Sequence, residues 1–82
     1  MPHSAHAPAY REFLKRLRAA RAKSGLKQED VARRLRKPQS YVSKCESGER
    51  RVDVIELSAF AAIYGVPITV FVPTSQRRQR SR

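Results

Sequence analysis

Apolar positions recur along this chain at helical rather than alternating spacing. Tyr10, Phe13, Leu14, Leu17 and Ala20 form one stripe, which predicts an amphipathic helix over residues 9–24. Pro8 suits its first turn, and Gly25 with Leu26 behind it suits its end. Val31, Ala32 and Leu35 predict a second helix over residues 27–36, with Glu29 and Asp30 in the turn where they complement the helix dipole. Lys27 offers no acceptor, so this start lacks a side-chain cap. Pro38 ends that segment and opens a third helix over residues 39–47, which buries Val42 and Cys45 and stops at Gly48.

Asp53 and Glu56 form a capping box that starts a fourth helix. Val54, Ile55, Leu57, Phe60, Ala61, Ile63 and Tyr64 give this helix an apolar face wider than one stripe, as a central helix would have, and Gly65 ends it. The run VPITVFV, residues 66–72, is too short for its period to separate a short helix from an extended segment. Its side chains either close the core or meet a second subunit. Residues 1–7 and 73–82, the latter carrying the basic stretch TSQRRQRSR, read as disordered tails around one domain at residues 8–72. The expected fold is all-α: a compact bundle of four to five short helices with a helix-turn-helix at its centre.

Charge directs the functional reading. The 82 residues carry 18 Lys plus Arg against 7 Asp plus Glu, a net charge of +11. A field of that strength favours a polyanion, nucleic acid before an anionic membrane. No apolar run approaches a membrane span, and the N-terminus lacks the apolar stretch of a signal peptide. A cytoplasmic, nucleoid-associated protein is therefore expected. The single cysteine, Cys45, excludes an internal disulfide and a multi-cysteine zinc site. His3 and His6 have no partner ligand nearby, so neither a metal nor another cofactor is expected. No nucleophile–base set and no glycine-rich phosphate loop is present, so the chain does not read as an enzyme.

With these elements in order, residues 10–71 resemble the lambda-repressor-like, Cro-type (XRE family) helix-turn-helix domain. The resemblance rests on Gly25-Leu26, then Gln28, Ala32 and Leu35, then the run Gln39-Ser40-Tyr41-Val42-Ser43-Lys44-Cys45-Glu46-Ser47-Gly48-Glu49-Arg50. It implies a five-helix domain whose third helix enters the DNA major groove. By position, Gln39, Ser40, Ser43 and Lys44 are then the base-contact residues. The chemistry agrees, since glutamine pairs with adenine and lysine with guanine. Gln28 matches a phosphate-binding position at the start of helix 2.

Tyr41 either packs along the DNA backbone or covers its own helix. Arg50 and Arg51 either touch phosphate or form a solvated turn. The resemblance further implies a salt bridge between Arg21 and Glu46, tying helix 1 to helix 3. Three positions depart from the family pattern. Arg36 stands where glycine is common, at a cost of roughly 1 kcal/mol if φ is positive there. Pro38 replaces a Ser or Thr cap, and Cys45 replaces a larger apolar residue.

The expected function is a sequence-specific transcriptional regulator, a repressor, that binds double-stranded DNA as a homodimer on a palindromic operator. The 66–72 run is the candidate for part of the dimer contact. The competing expectation is an interaction module whose main partner is a protein, such as a toxin or co-regulator.

Overall fold

The computed structural model describes residues 7–73. The two histidines, the first six residues and the basic stretch after Pro73 lie outside the described residues. Four α-helices and one 3-10 helix make up the described fold, with no strand among these residues: α1 (Pro8–Ser24), α2 (Gln28–Leu35), α3 (Gln39–Ser47), α4 (Val54–Tyr64) and the 3-10 helix Ile68–Phe71. None of these helices is long and apolar enough to cross a membrane.

The α1 stripe buries Phe13, Leu14, Leu17 and Ala20, the spacing that keeps one side of a helix against a core. Proline at its first position has no N–H to leave unpaired. Gly25 ends α1 at φ 79°, and its N–H donates to Ala22 O at 3.1 Å. Helix α2 buries Val31 and Ala32. Lys27 has no side-chain acceptor to offer the helix start. Half of a capping box is nevertheless present, because the Asp30 carboxylate accepts the Lys27 N–H at 2.9 Å.

Arg36 closes α2 in the left-handed region, at φ 60° and ψ 45°. Its N–H donates to Arg33 O at 3.1 Å and that of Lys37 to Ala32 O at 3.0 Å, the two bonds of a Schellman motif. This motif turns the chain sharply into α3. Pro38, at φ −69°, makes no side-chain cap bond there, as expected of a residue without a side-chain acceptor. The start of α4 is fully capped: Glu56 N–H donates to Asp53 Oδ1 at 2.8 Å, and Asp53 N–H donates to Glu56 Oε1 at 2.9 Å.

The core is built around Leu17, Val31, Val42, Cys45, Phe60 and Phe71, all out of contact with solvent. One feature differs from the pattern-based expectation. The apolar face of α4 is narrower, because only Phe60, Ala61 and Tyr64 are buried while Val54 and Ile55 project outward. Hydrophobicity alone does not orient a helix that is apolar on nearly every side. Of the alternatives open for the 66–72 run, the short helix forms: a 3-10 helix over Ile68–Phe71 delivers Phe71 into the core, and Val66, Ile68 and Val70 pack against that core. Arg16 of α1 holds this end of the chain by donating to Val70 O at 3.4 Å, while pairing with Glu12 at 2.8 Å.

Candidate nucleic-acid interface

Helices α2 and α3 pack together across the tight turn at residues 36–38. Helix α3 has two distinct sides. Val42, Cys45 and Glu46 are buried, whereas Gln39, Ser40, Ser43 and Lys44 are all exposed. Those four positions follow i, i+1, i+4, i+5 spacing, so they share one outward edge. That edge offers amide, hydroxyl and ammonium groups, the set that can match base-edge donors and acceptors.

A polar anchor fixes the helix that carries this edge. Glu46, 2% exposed, is the one charged residue in the core among the described residues. Arg21 Nε donates to its Oε2 at 2.7 Å, and Arg21 Nη2 donates to Oε1 at 3.1 Å. The remaining Nη1 of Arg21 donates to Leu26 O at 3.1 Å. Arg18 Nη1 donates to the backbone carbonyl of Glu46 at 2.9 Å. The Glu46 hydrogen bond, against an opposing effect of burial, raises the Arg21 pKa above its already high ordinary value. A buried carboxylate is tolerable only with such complete partnering.

The anchor extends to the outer edge through Gln28, a link the sequence did not suggest. Gln28 Nε2 donates to Glu46 Oε1 at 2.9 Å, and Gln28 Oε1 accepts from Gln39 Nε2 at 3.3 Å. The chain Arg21–Glu46–Gln28–Gln39 thus runs from α1 through the interior to the first residue of α3. The available signal was two glutamines at the starts of two helices that share a tight turn; it names a neighbourhood but no partner. Gln28 keeps one amide N–H and one acceptor site beyond these two bonds.

Tyr41 lies between two cations. The Lys37 Nζ is 5.1 Å and the Arg50 Cζ 4.8 Å from its ring centre. Burial, aided by neighbouring Cys45 and Glu56, pushes its phenol up to about 12, so it stays protonated at neutral pH. Arg50 makes a bidentate pair with Glu56 at 2.8 and 3.1 Å. It therefore clamps the α3–α4 loop to the start of α4, in addition to any role toward a ligand. Arg51 sits over the Tyr10 ring at 5.0 Å, and Tyr10 Oη accepts the Val52 N–H at 3.2 Å. The turn before α3 adds exposed positive charge from Arg34, Arg36 and Lys37, and Arg33 nearby pairs with Asp30 at 3.0 Å.

Cys45 is fully buried, and burial raises its thiol pKa. A thiol so placed packs as a small apolar group and lacks the thiolate character of a reactive cysteine.

Two short helices joined at a tight turn, the second buried on one side and polar on the other, define a helix-turn-helix fold of the DNA-binding class. A family model described as "Helix-turn-helix domain" matches residues 12–70, and the chain belongs to that family. No curated protein and no solved structure matches it.

Proposed function

We propose that this protein is a sequence-specific transcriptional repressor that binds a palindromic operator as a homodimer, one α3 per half-site. Half-sites about one helical turn apart then place both copies on one face of the duplex. The observation that carries the reading is the outward edge of α3: Gln39, Ser40, Ser43 and Lys44 stand exposed together on a helix whose other side is locked by Glu46. A helix backbone fixed in this way suits base readout, since the edge is held in place before binding, and Gln39 is already oriented by its bond to Gln28.

The residues divide by role. Gln39 reads adenine through its amide and Lys44 donates to guanine, while Ser40 and Ser43 adapt to either. Gln28 gives its remaining N–H to a phosphate at the start of α2 and steadies Gln39 from behind. Arg50, Arg51 and Tyr41 border the same surface and contact the backbone. The net charge of +11 adds sequence-independent affinity that falls with salt.

Selection of bound sites from a random DNA pool tests this reading, and a two-fold symmetric motif is expected. Gln39→Ala and Lys44→Ala should each reduce discrimination between that motif and random DNA by about 1–3 kcal/mol. Gln28→Ala should weaken binding to every sequence and also blur the base read by Gln39. If no motif is enriched, operator reading is excluded and a protein becomes the main partner.

A further inference from the structure

Helix α3 ends differently from the other α-helices. Gly25 after α1, Arg36 after α2 and Gly65 after α4 each donate a backbone N–H to a carbonyl of their own helix. Gly48, left-handed at φ 90°, makes no such cap bond after α3. The last carbonyls of a helix still need donors. Two of those on α3 find them elsewhere. Lys44 O accepts the Arg50 N–H at 3.1 Å and the Ser47 hydroxyl at 3.2 Å. Glu46 O accepts from Arg18 Nη1 of α1 at 2.9 Å. The Arg18 guanidinium also sets a positive charge at the negative end of the α3 dipole. The other end of α3 is held independently, by the backbone bonds of the preceding turn and by the bond between Gln39 and Gln28.

We propose that Arg18 is a positioning residue for base readout: by holding the Glu46 carbonyl it fixes the C-terminal half of α3, and with it Lys44, relative to the DNA groove. The proposal rests on the operator reading and adds to it a residue that touches no base. Arg18 and Arg21 lie one turn apart on α1, so Glu46 is gripped twice from one helix, at its carbonyl and at its carboxylate. The carboxylate grip acts through rotatable side-chain bonds, whereas the carbonyl grip acts on the backbone itself. Glu46 lies about 10 Å along the helix axis from Gln39. A tilt about the tethered start of α3 therefore moves the Glu46 end most. Lys44 belongs to that end and Gln39 to the pivot, so losing the carbonyl grip misplaces the lysine and spares the glutamine. Readout geometry tolerates only about 0.5 Å of misplacement. Arg18 is exposed, so its replacement leaves the core residues in place.

The test uses the full chain. A motif is selected from random DNA with wild type, and Gln39→Ala and Lys44→Ala assign the base that each residue reads. Arg18→Met keeps the aliphatic stem and removes the donor; it should fold and melt within about 8 °C of wild type, because the bond lies near the surface. Its preference at the Lys44 base should fall roughly fivefold, while that at the Gln39 base stays within about twofold. Arg18→Lys keeps a donor for the carbonyl and should recover most of the lost preference. In a Lys44→Ala background, Arg18→Met should change nothing further at that base. Equal weakening on every sequence, with the salt slope lowered by about one, makes Arg18 a phosphate contact and overturns the positioning role. A lower melting temperature with both base preferences intact overturns it too, leaving a bond that serves stability alone. If wild type itself enriches no motif, the operator reading fails first, and this proposal falls with it.

Discussion

Arg21 of α1 and Glu46 of α3 meet through two hydrogen bonds of 2.7 and 3.1 Å, with the carboxylate side chain 3% exposed and the guanidinium 21%. The pair joins the longest described helix to the buried side of α3. Removing one partner leaves the other charge under-compensated, at about 3–5 kcal/mol for a fully buried pair. Partial exposure of Arg21 moves the expectation to about 3 kcal/mol, after discounting for solvent screening. Arg21→Ala should therefore lower Tm by more than about 10 °C in a domain of this size. Replacing both residues by methionine should recover much of that loss, because no lone buried charge remains. Thermal unfolding followed by circular dichroism checks both; an unshifted Tm in Arg21→Ala removes the pair from the account of stability.

Arg36 offers a gain rather than a loss. It holds φ 60°, the one positive value among the described non-glycine residues, in the turn that sets α3 against α2. A side chain in that region costs about 1–2 kcal/mol, and glycine avoids the cost while adding freedom to the unfolded chain. Arg36→Gly should raise stability by about 0.5–1 kcal/mol, read as a higher urea midpoint at unchanged m-value. Arg36→Val should lower it, since β-branching worsens the same conformation.

These two positions mark what a reading of the chain can reach. Local signals were sufficient for α1, where Phe13, Leu14, Leu17 and Ala20 repeat at helical spacing, and for the α4 start, where Asp53 and Glu56 cap each other. Exposure of Gln39, Ser40, Ser43 and Lys44 followed from the same spacing once Val42 and Cys45 were assigned to the core. Where periodicity fails, so does the reading. Helix α4 is apolar nearly all round, so nothing local marked Val54 and Ile55 as the turns left outside. Residues 66–72 are too few and too uniformly apolar to betray a 3-10 helix. The bonds from Gln28 to Glu46 and from Gln39 to Gln28 link residues 18 and 11 positions apart, and such contacts leave no trace in spacing.

Acid should act partly through Glu56. The hydrogen bond from Arg50, then that from the Asp53 backbone, holds its carboxyl pKa below the ordinary value. A depressed folded-state pKa means that the unfolded chain binds the proton more readily. The stabilisation is thus complete above the unfolded value, about 4.3. It declines as pH falls through that value toward the lower folded one. Stability measured by urea titration between pH 6 and pH 3, as rough bounds around that range, should fall less steeply in Glu56→Gln than in wild type. Equal slopes would mean that the Arg50–Glu56 contact is too solvated to matter.

Tyr64 carries the opposite kind of burden. Its ring is buried in the core, 6.2 Å from that of Phe60, but its hydroxyl has no hydrogen-bond partner there. Burial pushes the phenol pKa well above its ordinary value, and the nearby Glu46 charge pushes it further while Arg21 opposes. A buried, unpaired hydroxyl costs about 1–3 kcal/mol relative to a paired one, whereas the aromatic ring contributes its full packing. Tyr64→Phe keeps the ring and removes the unpaired group, so it should unfold at equal or higher denaturant concentration, with a gain of up to about 1 kcal/mol. Tyr64→Ala should lose about 3–5 kcal/mol, since it empties the ring's place. The pair of variants separates ring from hydroxyl. A loss of more than about 1 kcal/mol in Tyr64→Phe, the usual worth of a made hydrogen bond, would show that the hydroxyl is paired in solution.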